Sequence, residues 1–235
     1  MSPRGAPPFV VAASGLAIEA RIATGPGVRG IVGGVDARRL ARALEHEVTH
    51  GARAIISFGI AGGLAPDAVA GTWVVGRGVM TAAGYRRCDD AWTQALVARL
   101  PGARLADLAG SDAPVADAAA KRALHLATDA IAVDTESHVA AAVAAAHRLP
   151  FAVFRVIADG AHRSLPPAAS VALKPEGRVD VAAVLRSLAR APGQLPLLAR
   201  TAIDARAAFG ALLRGRRRLG PWLGCDLRAL ERDVL

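Results

Sequence analysis

The segment Ala54-Ile55-Ile56-Ser57-Phe58-Gly59-Ile60-Ala61-Gly62-Gly63 sets the reading of the whole chain. Ile55 and Ile56 are β-branched and lie in an unbroken apolar run, so Ala54–Phe58 predicts a buried strand. The glycines that follow predict a loop over Gly59–Gly63, where a ligand could approach backbone N–H groups closely. Working outward, Phe9–Ala13, Val28–Val32, Thr72–Val75, Ala130–Val133 and Phe151–Ala158 read as further extended runs. Between them, Leu16–Ala23, Ala37–His50, Ala91–Leu100, Asp117–Ala127 and Thr135–His147 read as helices, with Asp36 as an N-cap and Gly51 as a stop. Strands alternating with helices predict an α/β fold with a mostly parallel sheet covered on both faces. In such folds the ligand sits beyond the C-terminal ends of the strands. After Asp159, Pro166, Pro167, Pro175, Pro192 and Pro196 predict an irregular region with a helix near Val179–Arg190 and another in the tail.

The 235 residues are 53% hydrophobic and 21% charged, which excludes a disordered chain and leaves material for a large core. Cys88 and Cys225 are the two cysteines, far apart and outside any CxxC pattern, so neither a disulfide framework nor a cysteine-based zinc site is expected, and a reducing, cytoplasmic setting is. The net charge is +9, and all basic residues except Lys121 and Lys174 are arginine. The excess is concentrated between Arg186 and Gly220, where eight arginines face one acid, Asp204. Aromatic residues are only 4% of the chain, so no base-stacking platform is evident and nucleic acid is not expected as a partner. No uninterrupted apolar run approaches the roughly 20 residues needed to span a bilayer. Arg4 followed by Pro7–Ile18 superficially resembles a signal peptide, but Glu19 and Arg21 follow at once, and the stretch reads better as a first buried strand.

The residues just past the strands are therefore the informative ones. They include three carboxylates, Glu19, Glu136 and Asp159, beside glycine-rich turns. That combination suits glycosidic bond cleavage, in which one acid protonates the leaving group and another binds or activates the nucleophile. The alternative is that each acid is a helix cap or a surface charge.

Three stretches in register resemble the purine nucleoside phosphorylase and methylthioadenosine/S-adenosylhomocysteine nucleosidase superfamily. They are Ser57–Pro66 with Gly71–Val75, then Ala130-Ile131-Ala132-Val133-Asp134-Thr135-Glu136-Ser137, then Leu149–Asp159. The resemblance covers roughly residues 9–190. It implies a single-domain, three-layer α/β/α fold of the nucleoside phosphorylase type over residues 1–190, followed by a basic, partly amphipathic helical tail over 191–235. It further implies that Asp159 protonates the departing purine at N7, that Glu136 holds the ribose hydroxyls, and that Glu19 positions an attacking water. Arg155 would support the acidic cluster. Gly33 and Gly34 resemble a glycine pair near the nucleophile. Gly59, Ile60, Ala61 and Gly62, with Val115, Asp134 and Thr135, fall at substrate-binding positions. No cofactor or metal is implied, although phosphate is a possible co-substrate.

Departures from the family pattern are informative. Ile60 stands where a serine usually contacts the nucleophile, Thr135 replaces a methionine under the sugar, and Ala158 replaces a serine. No arginine occupies the usual phosphate-gripping positions, leaving Arg38 and Arg39 as substitutes. Within the superfamily the chain is most similar to the hopanoid-associated phosphorylase branch, which implies adenine release from adenosylhopane to give ribosylhopane or its 1-phosphate. A general methylthioadenosine or S-adenosylhomocysteine nucleosidase is the alternative enzyme, and a non-catalytic membrane-surface module of the same fold is the alternative of another class. The resemblance also implies a homo-oligomer.

In the tail, Leu195, Leu198, Ala202, Ala205, Phe209 and Leu213 follow helical spacing, with Arg214, Arg216, Arg217 and Arg218 next. This predicts either an interfacial helix on anionic lipid, peripheral to the inner face of the membrane, or a helix packed on the domain with a solvated basic end. His46-Glu47-Val48-Thr49-His50 matches H-E-x-x-H, but it lies in the last turn of a helix, away from the strand ends, and is read as structural. His162, just after Asp159, could reach the rim of the pocket.

Overall fold

The computed structural model describes residues 7–34, 36–170, 177 and 180–227. Arg4, Pro175 and Val179 lie outside the described residues, as do residues 228–235 of the tail. Eight strands form one sheet: β1 (Phe9–Ser14), β2 (Val28–Val32), β3 (Ala52–Gly63), β4 (Trp73–Thr81), β5 (Gly84–Arg87), β6 (Arg104–Gly110), β7 (Ala132–Asp134) and β8 (Phe151–Asp159). The order is β2-β1-β3-β7-β6-β4-β5, with β8 paired to both β3 and β4. The strands β3, β8, β4, β6 and β7 thereby close into a ring. Five of the eight pairings are parallel, so the sheet is mixed and mostly parallel.

Both faces are covered. On one side α2 (Ala37–Thr49) and α5 (Ser137–Ala146) place Leu40, Leu44, Val139 and Val143 against Val11, Ile55 and Val153. On the other, α1 (Ala17–Ala23), α3 (Asp90–Arg99) and α8 (Leu195–Leu219) place Ala23, Trp92, Leu96, Ala208 and Leu212 against Val10, Ile56 and Phe154. Side chains alternate across a strand, so adjacent Ile55 and Ile56 serve opposite cores. That is why these strands carry continuous apolar runs rather than an alternating pattern.

Two expectations need correction. Gly59–Gly63 is not a loop: β3 continues through it, paired in parallel to β8 as far as Gly62↔Asp159 and antiparallel to β7 at Gly62 and Gly63. Glycine disfavours strands on its own, but here two neighbouring strands supply the pairing. The apolar face assigned to the tail is also rotated. The buried residues of α8 are Ala208, Ala211, Leu212, Gly215 and Leu219, while Leu195, Ala202 and Leu213 are exposed. Small residues set this face, because a Cβ on Gly215 would lie 2.5 Å from Phe154 Cζ, and the Trp73 indole donates to the Ala211 carbonyl (2.9 Å). Strands β5 and β6 carry little apolar signal: β5 is wholly exposed, and β6 is a short R-L-A-D-L-A-G run.

The remaining helices are α4 (Ala118–Thr128), α6 (Pro167–Ser170) and α7 (Val181–Arg190). Asp36 and Asp117 cap α2 and α4, each accepting from two backbone N–H groups. No helix among the described residues is long and apolar enough to cross a membrane.

Candidate active site

A cavity of about 290 Å³ opens where β1, β3, β7 and β8 end. Its polar lining is Glu19, Asp134, Thr135, Glu136 and Asp159. Leu16, Ile60, Val115 and Leu165 supply apolar wall. Strand register assembles it: Gly59 lies opposite Arg155, and Gly62 opposite Asp159.

Glu19 is 1% exposed on the first turn of α1. One carboxylate oxygen accepts from the Leu16 N–H (2.7 Å), reaching back over the helix start as a capping residue does. The other accepts from the Ile60 N–H (2.7 Å). The cap and the site residue are thus the same side chain, each role using its own oxygen. Burial is the largest influence on this carboxyl and raises its pKa to about 7, against the opposing pull of Arg155.

Arg155 is fully buried on β8, between Val153 and Ile157. One terminal nitrogen, Nη2, donates to Ser57 Oγ (2.6 Å), Glu136 Oε2 (2.9 Å) and Asp134 Oδ1 (3.1 Å); the other, Nη1, donates to the Ile60 carbonyl (3.2 Å). Asp134 caps α5, its Oδ1 accepting from the N–H groups of Glu136 (2.9 Å) and Ser137 (2.7 Å) while Oδ2 accepts from the Ser137 hydroxyl (2.6 Å). Glu136 also accepts from the Thr135 hydroxyl. Burial raises the Glu136 pKa, with Arg155 opposing. Three carboxylates therefore share one guanidinium, and Arg155 is held more firmly charged by Asp134, Glu136 and Glu19.

Glycine is required twice here. A Cβ on Gly59 would lie 2.5 Å from Glu19 Oε1 and 2.8 Å from Arg155 Nη1, and one on Gly15 would lie 2.6 Å from Glu136 Oε1.

Asp159 ends β8 on the other side of the cavity. It is paired with Lys121, which reaches it from α4. Burial raises the Asp159 pKa and Lys121 pulls it back down.

Of the residues expected at the site, Glu19, Ile60, Ala61, Gly62, Val115, Asp134, Thr135, Glu136 and Asp159 line the cavity. Arg155 and Gly59 lie beneath it. Gly33 and Gly34 are not in the lining; their N–H groups bond to the Ser14 (2.8 Å) and Gly15 (3.2 Å) carbonyls and tie the end of β2 to that of β1. His162, Arg38 and Arg39 are likewise absent from the lining. Sequence reasoning missed Lys121, Leu165 and Ala169. A signal for Lys121 existed, since Ala118, Lys121, Leu124, His125 and Thr128 form the inward face of α4 at helical spacing.

With this geometry in view, comparison with known proteins is decisive for the family. The model of the phosphorylase superfamily matches residues 8–190. The chain belongs to the phosphorylase superfamily. Membership in this superfamily carries the reaction class with it, N-ribosyl hydrolysis or phosphorolysis. No curated protein matches the chain closely enough to count as a relative. Solved structures share the superfamily fold at low identity. A 5′-methylthioadenosine/S-adenosylhomocysteine nucleosidase from Streptococcus pneumoniae is 15% identical at a TM-score of 0.61, covering 90% of this chain and 99% of that one. An S-adenosylhomocysteine nucleosidase from Streptococcus pyogenes is 16% identical at 0.60, covering 94% and 100%. Futalosine hydrolase of Helicobacter pylori is 13% identical at 0.59, covering 65% and 88%.

Proposed function

We propose that this protein hydrolyses the N-glycosidic bond of a 5′-substituted adenosine, releasing adenine, and that its substrate is adenosylhopane. The observation that carries the reading is the convergence of Glu19, Glu136 and Asp159 on one cavity. In the proposed reaction Asp159 gives its proton to N7 of the purine as the C1′–N9 bond breaks and the bonding pair leaves with the base. Glu136, braced by Arg155, accepts from the ribose hydroxyls and steadies the sugar as positive charge develops on it. Glu19, ionised and pinned by two N–H groups, receives a proton from the water that attacks C1′.

Water is favoured over phosphate by charge. No cationic side chain lines the cavity among the described residues, and four carboxylates do. A phosphate anion would meet repulsion there, and Ile60 offers it no hydroxyl. The apolar wall of Leu16, Ile60, Val115 and Leu165 suits a hydrophobic 5′ group. The test is adenine release from adenosylhopane in detergent and from methylthioadenosine, with and without phosphate, products identified by mass. Phosphate-independent release of ribosylhopane, rising with pH through about 7 as Glu19 ionises, is expected. Strict phosphate dependence would remove the water mechanism. Cleavage of methylthioadenosine alone would replace adenosylhopane with the simpler substrate.

Substrate dissolved in a membrane needs an enzyme at its surface, and we assign that contact to α8. Its outer stripe mixes Ile203, at 68% exposure, with Arg206, Leu213, Arg214 and Arg217, and Leu195 stands exposed at its start. Apolar residues interleaved with arginine suit an anionic bilayer. Co-sedimentation with vesicles containing anionic lipid should fall sharply for the Leu195→Ser/Ile203→Ser double variant. Both positions are exposed, so the fold should tolerate the change; equal binding by variant and wild type would discard the assignment.

A further inference from the structure

Lys121 is the one buried ammonium among the described residues, at 0% exposure. The chain is otherwise almost entirely served by arginine, so a lysine in this position draws notice. Its three hydrogens are all used: one on Asp159 Oδ2, one on the Gly160 carbonyl (3.3 Å) and one on the Arg163 carbonyl (3.0 Å). Those carbonyls belong to a tight turn directly after Asp159, closed by Arg163 N–H to Gly160 O (3.2 Å). The same turn is stitched to the start of α4 by Leu165 N–H to Ala116 O (2.8 Å) and by Ala118 N–H to Ser164 Oγ (3.0 Å). A helix start and a strand end are thus locked together around a single ammonium.

The charges facing Asp159 come from three elements. Lys121 approaches from α4, Arg163 from the turn after β8, and Asp204 from α8. Arg163 and Asp204 pair with each other, so their charges largely cancel. Across the cavity, Glu19 and Glu136 are tied to Arg155. Lys121 is the one uncompensated charge in contact with the Asp159 carboxyl.

We propose that Lys121 is a positioning residue for Asp159, anchoring Oδ2 so that Oδ1 serves the departing base, and neutralising the carboxylate that remains after the proton has gone. This rests on Asp159 being the acid of the reaction. The balance is simple: the Asp159 O–H bond breaks, N7–H forms, C1′–N9 breaks with its pair going to the purine, and the new carboxylate meets an ammonium already in contact. Without that cation the acid would be a weaker one and would hold its proton to higher pH.

The pH profile of kcat/KM for adenine release separates this from a merely structural role. Asp159 must be protonated to act, so its ionisation sets the alkaline limb of activity. Lys121→Met and Lys121→Gln remove the charge, and each should move that limb upward by about 1–3 pH units while kcat falls. Lys121→Arg keeps the charge and loses the geometry; its limb should stay near that of wild type. Glutamine keeps donors for the two carbonyls, which guards against a folding failure in the methionine variant. Adenine binding followed by calorimetry against pH gives the same limb without turnover. An unmoved limb in both neutral variants overturns the proposal. Asp159→Asn run alongside distinguishes the failures: if it cleaves at the wild-type rate, the acid itself is misassigned, whereas if it is inactive and the limb is unmoved, only the role of Lys121 is lost.

Discussion

Asp159→Asn is expected to lower kcat for adenine release by about 10²–10⁴-fold, the usual contribution of a positioned general acid. Asparagine matches aspartate in shape, so the cavity should keep its form and KM should change little. What is lost is the acidic proton, and an amide N–H cannot replace it. The effect should depend on the leaving group. A riboside whose departing group needs no proton should be cleaved almost as well by the variant as by wild type, so the ratio of the two substrates isolates protonation from packing. A uniform loss across both substrates would point to disrupted structure and against the acid assignment. Asparagine also leaves Lys121 buried without a counter-charge, so a lowered melting temperature should accompany the kinetic loss.

Arg155→Met carries the largest expected effect on stability, a loss of about 3–5 kcal/mol, because it leaves buried charges without their partner. Asp134, Glu136 and Glu19 all depend on that guanidinium. The sign with pH follows from the direction of the shifts. In the variant Glu19 and Glu136, deprived of their cation, would hold protons to higher pH than in the unfolded chain. The folded state is then favoured at low pH and loses stability as pH rises through their folded pKa values. Glu19 already titrates near 7 with Arg155 present, so the gap from wild type should be wide at pH 8 and narrower at pH 5. Urea midpoints at the two pH values measure it. An equal gap at both would mean that the carboxylates are not the source of the loss.

How much of this was legible in the sequence depends on range. Glu19, Asp134, Glu136 and Asp159 were found because they follow apolar runs, and parallel strands bring their C-terminal ends to one edge. Asp36 was legible as a cap because a cap is made with the next few residues. The glycine stretch was misread because its conformation is decided at a distance: glycine is rare in strands, but Glu19, Arg155 and Glu136 leave no room for a side chain at Gly59 and Gly15. Gly33 and Gly34 were placed by resemblance, and nothing local could say that they brace β1 rather than line the cavity. Lys121 was counted only as a charge, because its partner is 38 residues away and the pairing appears only once α4 lies against the turn after β8. The buried face of α8 was missed because alanine and glycine pack there more closely than leucine could.

The placement of the three tryptophans gives the molecule a built-in optical reporter. The Trp73 indole donates to Ala211 in α8, and the guanidinium of Arg218 stands 5.2 Å from its ring. The Trp92 indole donates to the Leu223 carbonyl (3.0 Å), and Trp222 closes over Gly27. Every indole in the chain therefore touches or belongs to the C-terminal segment. Intrinsic fluorescence should follow the docking of residues 208–227 on the sheet, and a redshift on loosening that segment should appear even while the sheet, the carboxylate cluster and its guanidinium remain in place.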